Sequence, residues 1–414
     1  MKALFAASVL VLAALPALAA EPDGLTLPSG FHASVVAEGL GPVRHLAFRP
    51  NGDLFLSTPR ARTGLGGGII ALHLDADHKV SGEPKHFGAV DGGTGIGFYR
   101  GALYAATPSR IYRYNFKGNA LLPDPEPQVV VDGMPATGNA NRGIAFDDKG
   151  GIFVGVTATA ADACNVPAPR GTTPVGVRPC KDLEGRSGIW RFSATRLNQN
   201  FADGERIATG FRDSTALAWL GGGLYGFFHG TDGTSRAFPK LVTPAEDAQI
   251  ADELIHLTKG TDIGWPYTYY DGVRKMRMTT PEFGGDGKTA ASGGNYAVPV
   301  LTFQAGRVAP LDLVAYNGTQ FPAEYRGGAF VPTHGTGGQV ANGHNGYNVY
   351  FVPVSKDGQV GEPKIFADGF ADSNSAGGKA KYRPVGAAVA PDGSLYVAES
   401  NKGRVWRITY GDAK

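Results

Sequence analysis

One pattern recurs six times along the chain and leaves few folds open. A small apolar run meets a glycine turn and then a second apolar run, as in residues 383–400 (RPVGAAVAPDGSLYVAES), which turn at Pro391-Asp392-Gly393. Asp-Gly between two apolar runs is the strongest short-range sign of a hairpin, because a tight turn needs positive φ. Comparable segments open at Arg44 (turn Asn51-Gly52), Gly93 (Gly101), Arg142 (Gly150), Arg212 (Gly221 to Gly223) and, in the loosest copy, Val308 (near Gly327). A third apolar run follows each one, at 69–72, 111–114, 189–192, 254–257, 349–352 and 405–408. A fourth, such as 129–131 or 365–367, precedes the next hairpin. The sixth unit has no chain left for a fourth strand, and residues 31–37, ahead of the first hairpin, supply it. Closing a ring in this way leaves no open seam. The expected fold is all-β: a six-bladed β-propeller with four antiparallel strands per blade, closed by the N-terminal strand joining the last blade.

Composition enters as a check. The 61 glycines and 28 prolines suit a turn-rich all-β chain. Only residues 244–254 (PAEDAQIADEL) have the spacing of a short helix, so a βα barrel, which needs a helix after every strand, is excluded. Lys2, the apolar run 4–15 and Ala17-Leu18-Ala19 read as an export signal cleaved near Ala19 or Ala20. The expected organisation is a signal peptide at 1–20 and one propeller domain over 21–414, periplasmic or secreted. That apolar run is too short to span a bilayer. A net charge of +2 gives no case for nucleic-acid or membrane binding. In an oxidising compartment Cys164 and Cys180 are expected to form a disulfide, and closing such a loop is worth roughly 3 kcal/mol.

The hairpin openers fall at one end of each blade, together with the long loops after the second strands. Three insertions extend those loops, at 157–187, at 229–252 with 264–297, and at 333–346. Function usually sits on loops held by a rigid scaffold, so this face is the place to look. Arg44, Arg142, Arg212 and Arg383 share the opening position. A guanidinium binds carboxylates in a bidentate way and stays charged, so four converging ones imply a polyanionic guest or matching acids. Two second strands run into His-Gly turns, His229-Gly230 and His334-Gly335. Glycine there lets the backbone present carbonyls to a cation or a ligand. Trp265, Tyr267, Tyr269 and Tyr270 read either as a sugar-stacking wall or, the more usual use, as packing for an insertion. No nucleophile elbow, His-Glu-x-x-His, phosphate loop or EF-hand loop is present, and the glycine run at 64–68 fails the dinucleotide pattern.

Together these stretches resemble the glucose/sorbosone dehydrogenase family, exported quinoproteins that use pyrroloquinoline quinone (PQQ) with calcium. The resemblance spans residues 27–410 and is most specific at 252–270, 321–335 and 383–397. It looks closest to the sorbosone-dehydrogenase-like branch. It implies a six-bladed propeller that oxidises an aldose or related sugar and passes electrons to a cytochrome or a quinone. It places Arg212 and Arg383 by the cofactor and makes the carbonyls of Gly230 and Thr231 candidate calcium ligands; the shared opening position and the His-Gly turns add Arg44, Arg142, His229 and His334 as candidate cofactor-binding residues. The sequence departs from the family where a histidine removes the substrate hydroxyl proton, because Asn139 stands there. An amide is no base near neutral pH, and losing such a base typically costs about 100-fold to 10,000-fold in rate. The family's Arg-Asn pair is Arg212-Asp213, and an acidic group near the metal is Thr157. Three outcomes follow: a substrate that needs no strong base, Asp213 as the base, or binding without catalysis. The functional expectation is a PQQ- and calcium-dependent sugar dehydrogenase, with Asn139 or Asp213 facing the reacting carbon. The rivals are a non-catalytic binder of PQQ or another small anion and, last, a lactonase-like hydrolytic propeller.

Overall fold

Turn chemistry and strand patterning are enough to build the hairpins. Gly393 takes φ +88, a region L side chains rarely adopt, and closes the last turn with its N–H on Ala390 O at 2.9 Å. The computed structural model describes residues 18–20, 24–59, 68–169, 171–303, 306–336, 346–372 and 379–411. Six sheets carry the chain in order, one per sequence unit. Their innermost strands are Leu46–Phe48, Ile96–Tyr99, Ile144–Phe146, Leu217–Leu220, Val314–Ala315 and Pro384–Val389. Each of these six meets the next, and the last meets the first, so the ring is closed. The closing strand is Phe31–Ala37, antiparallel to Val405–Tyr410 in the register Phe31↔Tyr410 and Ala33↔Ile408. The structure is a six-bladed β-propeller.

Two blades are wider than the repeat implied. Gln199–Asn200 adds in parallel to Gln128–Asp132 of the second blade, and Thr261–Asp262 to Glu205–Thr209 of the third. Two-residue strands carry no periodicity, so the sequence pattern is blind to them.

Glycine also sets how closely blades approach at the hub. A Cβ on Gly143 would lie 2.2 Å from Thr215 O, and one on Gly386 would lie 2.4 Å from Arg44 O. Polar bonds also cross the hub. His45 Nε2 lies 2.7 Å from Leu311 O, Thr215 Oγ1 donates to the same oxygen at 2.7 Å, and Ala387 N–H donates to Asp312 Oδ2 at 3.1 Å. Between blades the filling is apolar. The fifth and sixth blades share Phe31, Phe321, Phe330, Phe366 and Trp406, all buried.

Residues 244–254 are helical only at Pro244–Asp247, capped by Thr243 and Glu246 with proline at its start. Buried Ile250 then packs on Tyr269 and Met278, and the chain rejoins the sheet at Glu253–Leu257. The second insertion of this blade forms the hairpin Thr268–Asp271 with Met276–Thr279, fixed to the blade by a buried Arg277–Glu253 ion pair. Cys164 and Cys180 form a disulfide with Cα atoms 5.2 Å apart. Residues 1–17 of the expected signal peptide, 64–67 of the glycine run and most of the 333–346 insertion lie outside the described residues. Among the described residues no helix is long and apolar enough to cross a membrane.

Candidate functional site

Two cavities of about 750 and 900 Å³ open at the mouth of the ring. Both lie in the range of roughly 300–1,000 Å³ usual for small-molecule sites. They meet at His334 and Arg383, which line both.

The four opening arginines have three different fates. Arg383 lines both cavities and donates from Nε to His334 O at 3.0 Å and from Nη2 to Gly335 O at 2.8 Å. Its guanidinium carbon lies 5.8 Å from the Tyr347 ring centre, and no described carboxylate pairs with it. Arg44 lines the second cavity. Arg212 lines the first, where Nη2 donates to Gly230 O at 3.1 Å and to Asp232 Oδ2 at 3.0 Å, while its buried Nε has no partner. Arg142 lines neither cavity. It is 0% exposed and donates to the carbonyls of Asn141, Pro108 and Pro135. Burial, with Arg186 alongside, pulls its pKa down to about 9, although Asp213 nearby opposes the shift. The structure thus brings Arg44, Arg212 and Arg383 to the cavities and leaves Arg142 in the wall behind them.

The histidines of both His-Gly turns line the first cavity. His229 Nε2 lies 2.8 Å from Pro310 O, and His334 Nε2 lies 2.7 Å from Ser400 Oγ. Enclosure of the His334 ring, with Arg383, Arg44 and His229 near it, holds its pKa well below the ordinary histidine value. The ring is therefore neutral around neutral pH.

The carbonyls of Gly230 and Thr231 do not stand open together. Gly230 O accepts from Arg212, and Thr231 O accepts from Arg307 Nη1 at 2.8 Å. Arg307 also reaches Asp247 Oδ1 at 3.1 Å and Asp232 Oδ1 at 3.2 Å. Asp252 ties the turn down by accepting from the N–H groups of Gly230, Val308 and Ala309. Among the described residues no group of three or more His, Cys, Asp or Glu side chains gathers to hold a metal.

Asn139 lines the second cavity and Asp213 the first. Asn139 Oδ1 accepts from Asn141 Nδ2 at 3.0 Å, and its backbone is clamped by Thr157 Oγ1 (2.8 Å, to Asn139 O) and by Thr159 O. Asp213 Oδ1 is buried without a partner. The aromatic segment packs rather than stacks. Trp265 sits against the disulfide, Tyr267 Oη accepts the Cys180 N–H at 3.1 Å, and Tyr269 and Tyr270 are buried. None of the four lines either cavity.

Sequence reasoning missed Arg307, Asp232 and Asp247, and also Ser400 and Asn401 on the second cavity. Arg307 immediately precedes Val308, so a one-residue shift in the loosest repeat copy would have exposed a fifth opening arginine. Ser400 follows the last residue of a hairpin strand, and nothing local marks it.

A family model described as TrAA12-like matches residues 25–411. The PQQ domain of pyranose dehydrogenase from Coprinopsis cinerea, in its holo form, superposes with a TM-score of 0.70 at 17% identity, covering 94% of this chain and 98% of that one. A calcium structure of a Trichoderma reesei carbohydrate-active enzyme of family AA12 gives 0.71 at 17% identity, covering 96% and 98%. The PQQ-bound aldose sugar dehydrogenase of Streptomyces coelicolor gives 0.56 at 18% identity, covering 92% and 99%. At these identities the likeness is one of fold. No curated protein matches the chain in sequence.

Proposed function

We propose that this chain, which belongs to the TrAA12-like family, is an exported dehydrogenase that oxidises a sugar with PQQ held at the mouth of its propeller. The observation that carries the reading is the convergence of Arg212, Arg307 and Arg383 on one cavity, with Arg383 bonded to carbonyls and to no described carboxylate. PQQ is a planar tricarboxylate, and guanidiniums are the side chains best shaped to hold carboxylates in pairs.

The fit to calcium is thinner. Gly230 and Thr231 would hold it through the second lone pairs of carbonyls that already accept from arginines. Calcium takes six to eight oxygens, so the guest and water would supply the rest. When bound, PQQ supplies an ortho-quinone that accepts a hydride, made more electrophilic by a neighbouring cation. The chain's own residues do the positioning. Arg212 and Arg383 fix the guest's carboxylates, and Asn139 and Asn141 present amides to sugar hydroxyls in the second cavity. Asp213 lines the first cavity, with its Oδ1 buried and unpartnered. A second reading, binding without turnover, is favoured by one observation. Asn139 holds the position where the family resemblance implies a base, and its amide is bonded to Asn141.

The test is reconstitution of the purified protein with PQQ and calcium, followed by dye reduction against an aldose panel. Turnover that needs both additions supports the dehydrogenase. Bound PQQ with no turnover supports the binder, and no PQQ binding at micromolar concentration ends both readings.

A further inference from the structure

Sugar oxidation leaves the substrate hydroxyl proton in need of an acceptor. Asn139 is an amide, and Asp213 lines only the first cavity, beside the buried Arg142. The junction of the cavities holds a better-placed pair. Ser400 lines the second cavity, and its Oγ lies 2.7 Å from Nε2 of His334, which lines both. The pair is held by the backbone. Ser400 N–H donates to Arg383 O at 3.0 Å, His334 N–H donates to Ala309 O at 2.9 Å, and Arg383 Nε returns to His334 O. In the neutral tautomer that carries its proton on Nδ1, the ring accepts the serine hydroxyl proton at Nε2, which leaves Ser400 Oγ a lone pair for a substrate hydroxyl.

We propose that Ser400 and His334 form a proton relay. The substrate hydroxyl gives its proton to Ser400 Oγ as the serine's own proton passes to His334 Nε2. The C–H hydrogen leaves with its electron pair to a bound ortho-quinone, an acceptor for which the relay rests on the PQQ reading. The O–H and C–H bonds break, a C=O bond forms, the imidazole becomes imidazolium, and the quinone gains two electrons and one hydrogen. The field at the ring makes the relay conditional. Burial of the ring first, and then Arg383 from the sixth blade, Arg44 from the first and His229 from the fourth, oppose an imidazolium, although Asp213, Asp232, Asp247 and Asp252 line the same cavity. A polyanionic guest beside those arginines offsets their part of the shift, so His334 is a better proton acceptor in the loaded protein.

The first test is NMR titration of the histidine rings without and with PQQ and calcium. The nine histidines make assignment by His334→Gln practical. The His334 midpoint should rise by about one unit or more on loading. An unmoved midpoint in protein whose quinone absorbance shows PQQ bound overturns the relay and leaves the dehydrogenase standing. Absence of PQQ binding instead sinks the parent reading and the relay with it. In turnover, Ser400→Ala and His334→Gln should each lower kcat about 100-fold, and in Ser400→Ala KM and PQQ affinity should stay within about threefold. His334→Gln should also flatten the acid limb of the pH profile, and Ser400→Thr should recover most of the rate. Full activity in Ser400→Ala, or covalent labelling of Ser400 by a fluorophosphonate, which marks a nucleophile instead, would overturn the proposal.

Discussion

The openings of the third and sixth blades hold the same residue at the same place in the repeat and put it to opposite uses. Arg142 is sealed, with carbonyls around it, Arg186 beside it and an unpartnered Nε. Arg383 stands at the junction of two cavities. The difference lies in what covers each opening. Pro108 and Pro135 from the second blade's loops close over Arg142, and Arg186 reaches it from the 157–187 insertion. The second strand of the sixth blade ends at Glu399, with Ser400 and Asn401 leaving its opener facing the mouth. The repeat places a Cα at the hub. Whether its side chain meets a ligand depends on segments far away in sequence.

The comparison breaks most visibly through Arg142→Ala. That change leaves three carbonyl acceptors without their donor and a void in a wall with no exposure. The expected cost is about 3 kcal/mol or more in urea unfolding, with a matching fall in Tm. Arg383→Ala should behave in the opposite way. PQQ affinity by fluorescence titration should fall about 30-fold, near 2 kcal/mol for charge-assisted bonds, while Tm moves little. If Arg142→Ala unfolds normally but loses PQQ, the wall and cavity assignments are reversed.

This contrast also shows what the sequence could display. Hairpins are local, so Asn51-Gly52 and Asp392-Gly393 announced their blades, and a missing sixth fourth-strand announced the closing role of residues 31–37. The opening arginines were legible as a set because they recur at one repeat position. The burial of Arg142 was not, since the atoms around it come from Pro108, Pro135 and Arg186. Arg307 was missed because its copy of the repeat is the least regular and its acids, Asp232 and Asp247, arrive from an insertion. The pairing of Ser400 with His334 joins residues 66 apart in sequence, and no spacing rule reaches that far.

Arg212 is the intermediate case, and it gives the finest test. It opens its strand as Arg383 does and faces the cavity, but it shares the Asp232 carboxylate with Arg307. Asp232 is 55% exposed, so each pair is worth only about 0–1 kcal/mol to stability. Asp232→Asn keeps the shape and removes the charge, which makes Arg212 resemble Arg383. Tm should therefore stay within about 2 °C. PQQ affinity at low salt should rise about three- to fivefold, because two guanidiniums are released towards the guest. The gain should shrink as ionic strength shortens the reach of the added field. A fluorescence titration at low and at physiological salt separates the two contributions. Weaker binding in Asp232→Asn would mean that the carboxylate itself serves the guest or its cation, and Arg212 would then belong with the structural arginines rather than with Arg383.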